Sequence, residues 1–260
     1  TPQAANKTMG QGGFQEVEQM NLFKDMVCYQ EEVRDPSRMA EVLNRVIEKA
    51  FRGSAPAQIN VPRDYWTQVI DIELPPIVRL ERQGGGSDAI AKAADLLSKA
   101  KFPVILSGAG VVIGGAIEET KKLAEKLEAP VCSGYQHNDS FPGSHPLAVG
   151  PLGYNGSKAA MELISKADVV LALGTRLNPF STLPGYGIDY WPKNANIIQV
   201  DINPDRIGLT KKVTVGISGD AKLVAQQIFD KLASNAGDAN RQERKDLIHQ
   251  TKSAWLQKLS

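Results

Sequence analysis

Pro103-Val104-Ile105-Leu106-Ser107-Gly108-Ala109-Gly110-Val111-Val112-Ile113-Gly114-Gly115 joins an unbroken apolar run to a turn of small residues and then to a second apolar segment. The first four residues read as a strand buried on both faces, as in parallel sheets covered by helices on either side. The glycines after it mark a tight strand-to-helix turn. Outward from this stretch the pattern repeats. Ile90, Ala93, Ala94 and Leu97 form a helical stripe before it, and Ala116, Ile117, Leu123, Ala124 and Leu127 form one after it. A short strand at Pro130-Val131-Cys132, a helix near 156–166 and strands at 168–173, 196–201 and 213–215 follow, before a helix carrying Ala221, Val224, Ala225, Ile228 and Leu232. Strands alternating with helices predict an α/β fold, a doubly wound parallel sheet spanning 87–235.

On the N-terminal side, residues 63–86 have linker composition, with Pro75-Pro76 and the run Gly84-Gly85-Gly86. Before them, Met39, Val42, Leu43, Val46, Ile47, Ala50 and Phe51 predict one apolar stripe on a helix opening near Asp35-Pro36-Ser37, set between strands at Val27 to Val33 and Gln58 to Val61. Residues 1–62 thus read as the C-terminal part of another α/β domain whose earlier strands lie outside the sequence. On the C-terminal side, 236–260 read as a polar connector and a helix from Gln242 to Leu256 leading toward a further domain. The start Thr1-Pro2-Gln3, with no initiator methionine, is expected of an internal fragment.

Composition removes several function classes. With 30 basic and 29 acidic side chains the formal net charge is +1, which offers no field to gather nucleic acid or an anionic membrane. Cys28 and Cys132 stand alone, without a CxxC or a Cys/His cluster, so no disulfide framework or zinc site is expected and a reducing cytoplasmic home fits. No run approaches the ~20 apolar residues of a membrane span. There is no nucleophile elbow and no HExxH helix.

Several segments remain that can carry chemistry. The turn at Ser107 to Gly110 lies where backbone N–H groups can cradle a phosphate, but the dinucleotide fingerprint needs a glycine where Ile113 stands and an acid where the next strand ends in Ser133. A tight turn and an adenine-nucleotide pocket both stay open. Arg176, just past a buried strand, suits a phosphate or carboxylate grip as well as a loop anchor. Asp201 ends its strand and suits either ribose hydroxyls or capping of the turn Asp201-Ile202-Asn203-Pro204. His137-Asn138-Asp139-Ser140 reads as a turn. Gly153-Tyr154-Asn155-Gly156 is a turn before a helix or an active-site loop. Gly10-Gln11-Gly12-Gly13-Phe14-Gln15-Glu16 could set an aromatic and an amide against a bound molecule, or simply lead into a helix with Val17, Met20 and Phe23.

Taken in order, GGFQE (12–16), QINVPRDYW (58–66), KFPVILSGAGVV (101–112), HNDSFP (137–142), HPLAVGPLGYNGSKAAM (145–161), ADVVLALGTRLNPF (167–180) and IIQVDIN (197–203) resemble sulfoacetaldehyde acetyltransferases, whose wider relatives are acetohydroxyacid synthases and pyruvate oxidases. The resemblance extends over nearly the whole chain. It implies three α/β domains, with 1–62 the tail of the pyrimidine-binding domain, 63–86 a linker and 87–235 the central domain. The glutamate that activates the aminopyrimidine and the motif for magnesium and diphosphate would lie outside the sequence. It further implies thiamine diphosphate and Mg²⁺ as cofactors, and a homo-oligomer with sites between subunits. The reaction implied adds the thiazolium carbanion to sulfoacetaldehyde, releases sulfite, and passes the remaining acetyl group to phosphate as acetyl phosphate. By position, Phe14 and Gln15 match a pair that lines the active site. Gly153, Tyr154, Asn155 and Gly156 match a segment near it, and Arg176 and Asp201 match a nucleotide site of flavin-carrying relatives.

Overall fold

The structure is a computed structural model that describes residues 1–76 and 81–260. Positions 77–80 of the expected linker lie outside the described residues. The chain divides into two units, Thr1–Leu80 and Glu81–Ser260.

In the first unit, strands β1 (Pro2–Gln3), β2 (Tyr29–Glu32) and β3 (Ala57–Pro62) run parallel in the order β1-β3-β2. Parallel neighbours need a crossover, and helix α2 (Met39–Gly53) provides it between β2 and β3, after the short helix α1 (Gln19–Phe23). The crossover starts where the Asp35 side chain accepts from the Ser37 N–H at 2.9 Å, with Pro36 in the first turn. Val42 and Val46 are buried with Val33, while Leu43, Ile47 and Phe51 stay 43%, 46% and 81% exposed. The single broad stripe expected from the sequence is therefore split. Successive helical residues lie about 100° apart, and a floor made mainly by β2 and β3 covers only the Val42/Val46 edge. On the opposite face of the sheet the buried Gln58 donates to Asn60 at 2.7 Å and accepts from Gln30 at 2.7 Å, and Asn60 donates to Gln3 at 2.9 Å. This amide ladder satisfies polar groups that would be costly to bury alone.

In the second unit, six parallel strands lie in the order β6-β5-β4-β7-β8-β9: β4 (Pro103–Ser107), β5 (Val131–Ser133), β6 (Ala148–Pro151), β7 (Val169–Leu173), β8 (Asn196–Asp201) and β9 (Val215–Ser218). Every residue of β4 and β7 is buried, as their unbroken apolar runs require. Asp168 sets the start of this central pair by accepting from the Lys101 and Phe102 N–H groups at 2.7 and 2.8 Å. Helices α3 (Ser87–Lys99) and α5 (Ile117–Leu127) both pack against α7 (Ala221–Lys231), with the short α4 (Ala109–Gly114) also against α7, while α6 (Lys158–Ile164) packs on α8 (Arg241–Leu259). The doubly wound parallel sheet expected from the sequence is present, with one strand more than the sequence reading gave. That strand is β6, and the final strand begins at Val215 rather than Val213.

The glycine run read as linker is packed from Gln83 onward. The Asp220 N–H donates to the Gln83 carbonyl at 2.7 Å, and the Gln227 amide donates to the Gly84 carbonyl at 3.2 Å. Gly85 sits at φ +81°, where a Cβ would also come within 2.6 Å of Ile217. Its glycine is thus required by conformation and by space. Arg244, 1% exposed, holds α8 in place by donating to five carbonyls, those of Lys101, Leu127, Glu128, Gly237 and Ala239.

Candidate functional site

In this strand order the chain leaves β4 toward one edge of the sheet and leaves β7 toward the other, so the carboxyl ends of β4 and β7 form the switch point where ligands of such sheets collect. Here the two loops meet backbone to backbone. The Gly110 N–H donates to the Gly174 carbonyl at 2.8 Å and the Gly108 N–H to the Leu173 carbonyl at 3.0 Å. A Cβ on Gly108 would lie 2.6 Å from the Gly174 oxygen, and one on Gly110 would lie 2.7 Å from the Gly174 Cα. The glycines at 108 and 110 are thus used to bring the two loops together, and the Gly110 N–H that could have faced a phosphate is occupied.

Beyond this contact, Asp201 is 5% exposed and accepts from the Asn203 N–H at 2.9 Å, so the turn-capping geometry is present. Burial pushes its carboxyl above the usual range, opposed by the Asn203 N–H and by the charges of Arg206 and Arg176. Arg176 is exposed to solvent, and among the described residues it makes no ion pair with Asp201. The buried Gln199 ties the neighbouring loops by donating to the Thr175 and Arg206 carbonyls at 3.2 and 3.1 Å and accepting from the Gly208 N–H at 2.9 Å.

Gly153 to Gly156 follow β6 and precede the α6 N-cap, Ser157, whose hydroxyl accepts from the Ala160 N–H at 3.3 Å. Gly153 has φ +103°, and a Cβ there would lie 3.2 Å from the Phe180 carbonyl oxygen and 3.3 Å from Tyr135. Tyr135 and Phe180 meet edge to face at 5.1 Å, so the loops after β5, β6 and β7 converge here. Tyr154 is 63% exposed and Asn155 is exposed too, whereas Gly153 and Gly156 are buried. Beneath lies Tyr190, whose buried hydroxyl has no hydrogen-bond partner among the described residues in spite of the nearby Gly153 backbone. Burial raises it to about 12. Tyr190, Tyr135 and Gln199 received no role from the sequence, because none sits in a recognisable motif.

Phe14 and Gln15 belong to the first unit. Phe14 is 93% exposed and Gln15 adopts φ +61°, a left-handed conformation unusual for a side-chain-bearing residue. Glu16 closes the loop beneath them. Its carboxylate accepts from the Gly10 N–H and from the Gly13 N–H at 3.0 Å, contacts that hold it below the usual range. Among the described residues no cluster of three or more His, Cys, Asp or Glu is placed to hold a metal ion.

The fold and its converging carboxyl-end loops define a doubly wound α/β domain of the kind found in multidomain enzymes. The family described as "Thiamine pyrophosphate enzyme, central domain" matches residues 90–228, over half of the sequence, and the chain belongs to that family. Over all 260 residues it is 81% identical to a "Probable sulfoacetaldehyde acetyltransferase" of Rhizobium meliloti (strain 1021) and 77% identical to a "Sulfoacetaldehyde acetyltransferase" of Roseovarius nubinhibens, covering 44% and 43% of those proteins. A "Probable acetolactate synthase large subunit" of Methanocaldococcus jannaschii is 35% identical over 89% of this chain and 40% of its own length. Among solved structures, benzoylformate decarboxylase from Polynucleobacter necessarius matches 92% of this chain and 45% of its own, with TM-score 0.77 and 22% identity, a likeness of fold. The chain spans under half the length of the curated relatives it matches.

Proposed function

We propose that this chain serves a sulfoacetaldehyde acetyltransferase that uses thiamine diphosphate and Mg²⁺, a cytoplasmic homo-oligomer acting on sulfoacetaldehyde and inorganic phosphate. The observation carrying this reading is the identity of 81% and 77% over the whole chain to proteins bearing that name, against 35% to a protein named for acetolactate synthesis. The overall conversion balances without an added oxidant. The carbon–sulfur bond breaks with its electron pair leaving on sulfite, and a phosphate oxygen bonds to the former aldehyde carbon while the methylene carbon becomes methyl. When bound, the cofactor supplies the carbanion chemistry.

On this reading the chain's own residues position and shield. Phe14 and Gln15, on the Gly10–Glu16 loop, present a ring and an amide to the substrate or the attacking phosphate. Gly153, Tyr154, Asn155 and Gly156 form a wall near the active site, with Tyr154 free to contact what lies above it. Arg176 and Asp201 correspond to a nucleotide site. Asp201's bond to the Asn203 N–H and the closure of Gly110 on Gly174 favour a structural use of this corner in the present chain. Domain roles follow the same reading: 1–62 belong to the pyrimidine-binding domain, 87–235 to the central domain, and 236–260 lead toward a diphosphate-binding domain.

The test is an assay of the protein at the full length of its relatives, with thiamine diphosphate and Mg²⁺ present. Phosphate-dependent sulfite release from sulfoacetaldehyde is the expected result. No release, in a preparation that turns over another thiamine-diphosphate substrate, would refute the substrate assignment.

A further inference from the structure

We infer that Glu16 is a positioning residue for the proposed reaction, acting as an internal clamp that holds Phe14 and Gln15 outward toward the reacting molecules. The inference rests on the active-site reading of Phe14 and Gln15 given above. Its geometry stands by itself. The two Glu16 carboxylate oxygens accept from separate N–H groups, Gly10 through Oε1 and Gly13 through Oε2 at 3.0 Å, so one side chain ties the last residue of a seven-residue loop to its first and its middle residue. The Glu16 N–H also donates to the Gly13 carbonyl at 3.1 Å, which tightens the turn from the backbone side. Gly10 and Gly12 lie at φ +83° and +69° with open space where a Cβ would be, so conformation rather than packing demands glycine at both.

Phe14, 93% exposed, has little packing to hold its ring. Gln15 at φ +61° occupies a conformation that costs energy unless its surroundings impose it. The loop that carries both residues is closed by the carboxylate next in sequence, through its bonds to Gly10 and Gly13. Charge-assisted bonds from a carboxylate to backbone N–H groups are among the stronger hydrogen bonds, and the lowered titration of Glu16 accords with that use. Removing the carboxylate would leave the loop to sample other conformations. A displacement of about 1 Å in a positioning group can cost about 100-fold in rate.

Two readouts on the full-length protein test this. Hydrogen exchange of the Gly10 and Gly13 amides should be slow in the wild type and at least about tenfold faster in Glu16→Ala, whatever the substrate; equal exchange overturns the clamp. In turnover, Glu16→Ala should lower kcat/KM about 10- to 100-fold without altering thiamine-diphosphate affinity, and Glu16→Gln, which keeps one acceptor, should recover part of it. Placed in a Phe14→Ala/Gln15→Ala background, Glu16→Ala should add almost nothing, because its effect passes through those side chains. A full additional loss in that background, or wild-type kinetics for Glu16→Ala, overturns the inference. A wild type that releases no sulfite sinks the substrate reading instead, and the amide exchange still decides the clamp.

Discussion

At Tyr190 a phenol hydroxyl is buried with no hydrogen-bond partner among the described residues, close under the Gly153 turn. An unpaired buried hydroxyl costs about 1–3 kcal/mol. Tyr190→Phe is therefore expected to leave stability unchanged or raise it by up to about 2 kcal/mol, read as a higher urea midpoint at unchanged slope. A drop of similar size would mean that the hydroxyl makes a bond to Gly153 that the geometry lacks. Glu41 offers a second test. Hydrogen bonding from Arg38 holds its carboxyl at about 2, with Arg45 contributing. The folded value lies below the usual 4.5, so the stabilisation from this exposed pair is present above pH 4.5 and is lost as pH falls toward 2. NMR titration of the Glu41 carboxyl should give a midpoint near 2, moving back toward 4.5 in Arg38→Met. The sequence showed Phe14 and Gln15 as candidates through their string, yet gave no sign that Glu16 beside them folds back onto Gly10 and Gly13. That contact depends on loop dihedrals that periodicity does not encode.

Among the elements, β4, β7 and β8 were legible because strands buried on both faces read as continuous apolar runs. β6 was not, since Ala148-Val149-Gly150-Pro151 is an edge strand carrying Gly and Pro, residues that normally argue against a strand. The start of β9 was misplaced because Val213-Thr214-Val215 carries high strand propensity, whereas pairing with β8 begins at Val215. The glycine turn at 108–110 was read as either a phosphate cradle or a tight turn, and the structure gives the tight turn its physical cause in the approach of Gly174. Gly110→Ala would drive a methyl into the Gly174 backbone. A loss of about 1–3 kcal/mol or more is expected in chemical denaturation, whereas Gly115→Ala meets no neighbouring atom and is penalised only by its φ of +66°. In the C-terminal helix one buried side chain, Arg244, makes more carbonyl contacts than Arg241 or Lys252, which also anchor it. Arg244→Met would leave five carbonyls without their donor, and a destabilisation of at least about 3 kcal/mol is expected, with amide protection lost first in 241–259.

For the molecule as a whole, the sequence established the fold class because each layer of evidence agreed: strand runs, helix stripes and glycine turns all specified one doubly wound sheet. It established chemistry only through resemblance. No cluster of catalytic side chains stands out in composition or spacing, and the reactive centre of the proposed enzyme is a cofactor rather than a side chain of this chain. No described helix is long and apolar enough to cross a membrane. The near-neutral balance of charge likewise gives no reason to expect a polyanionic partner. What remains decisive is the substrate. The most direct measurement is a ³¹P NMR assay of the full-length protein with thiamine diphosphate, Mg²⁺ and phosphate, offered sulfoacetaldehyde or pyruvate in parallel. The account predicts acetyl phosphate from sulfoacetaldehyde, matched one for one by sulfite, with pyruvate left unconsumed. Pyruvate converted to acetolactate, with sulfoacetaldehyde untouched, would contradict it.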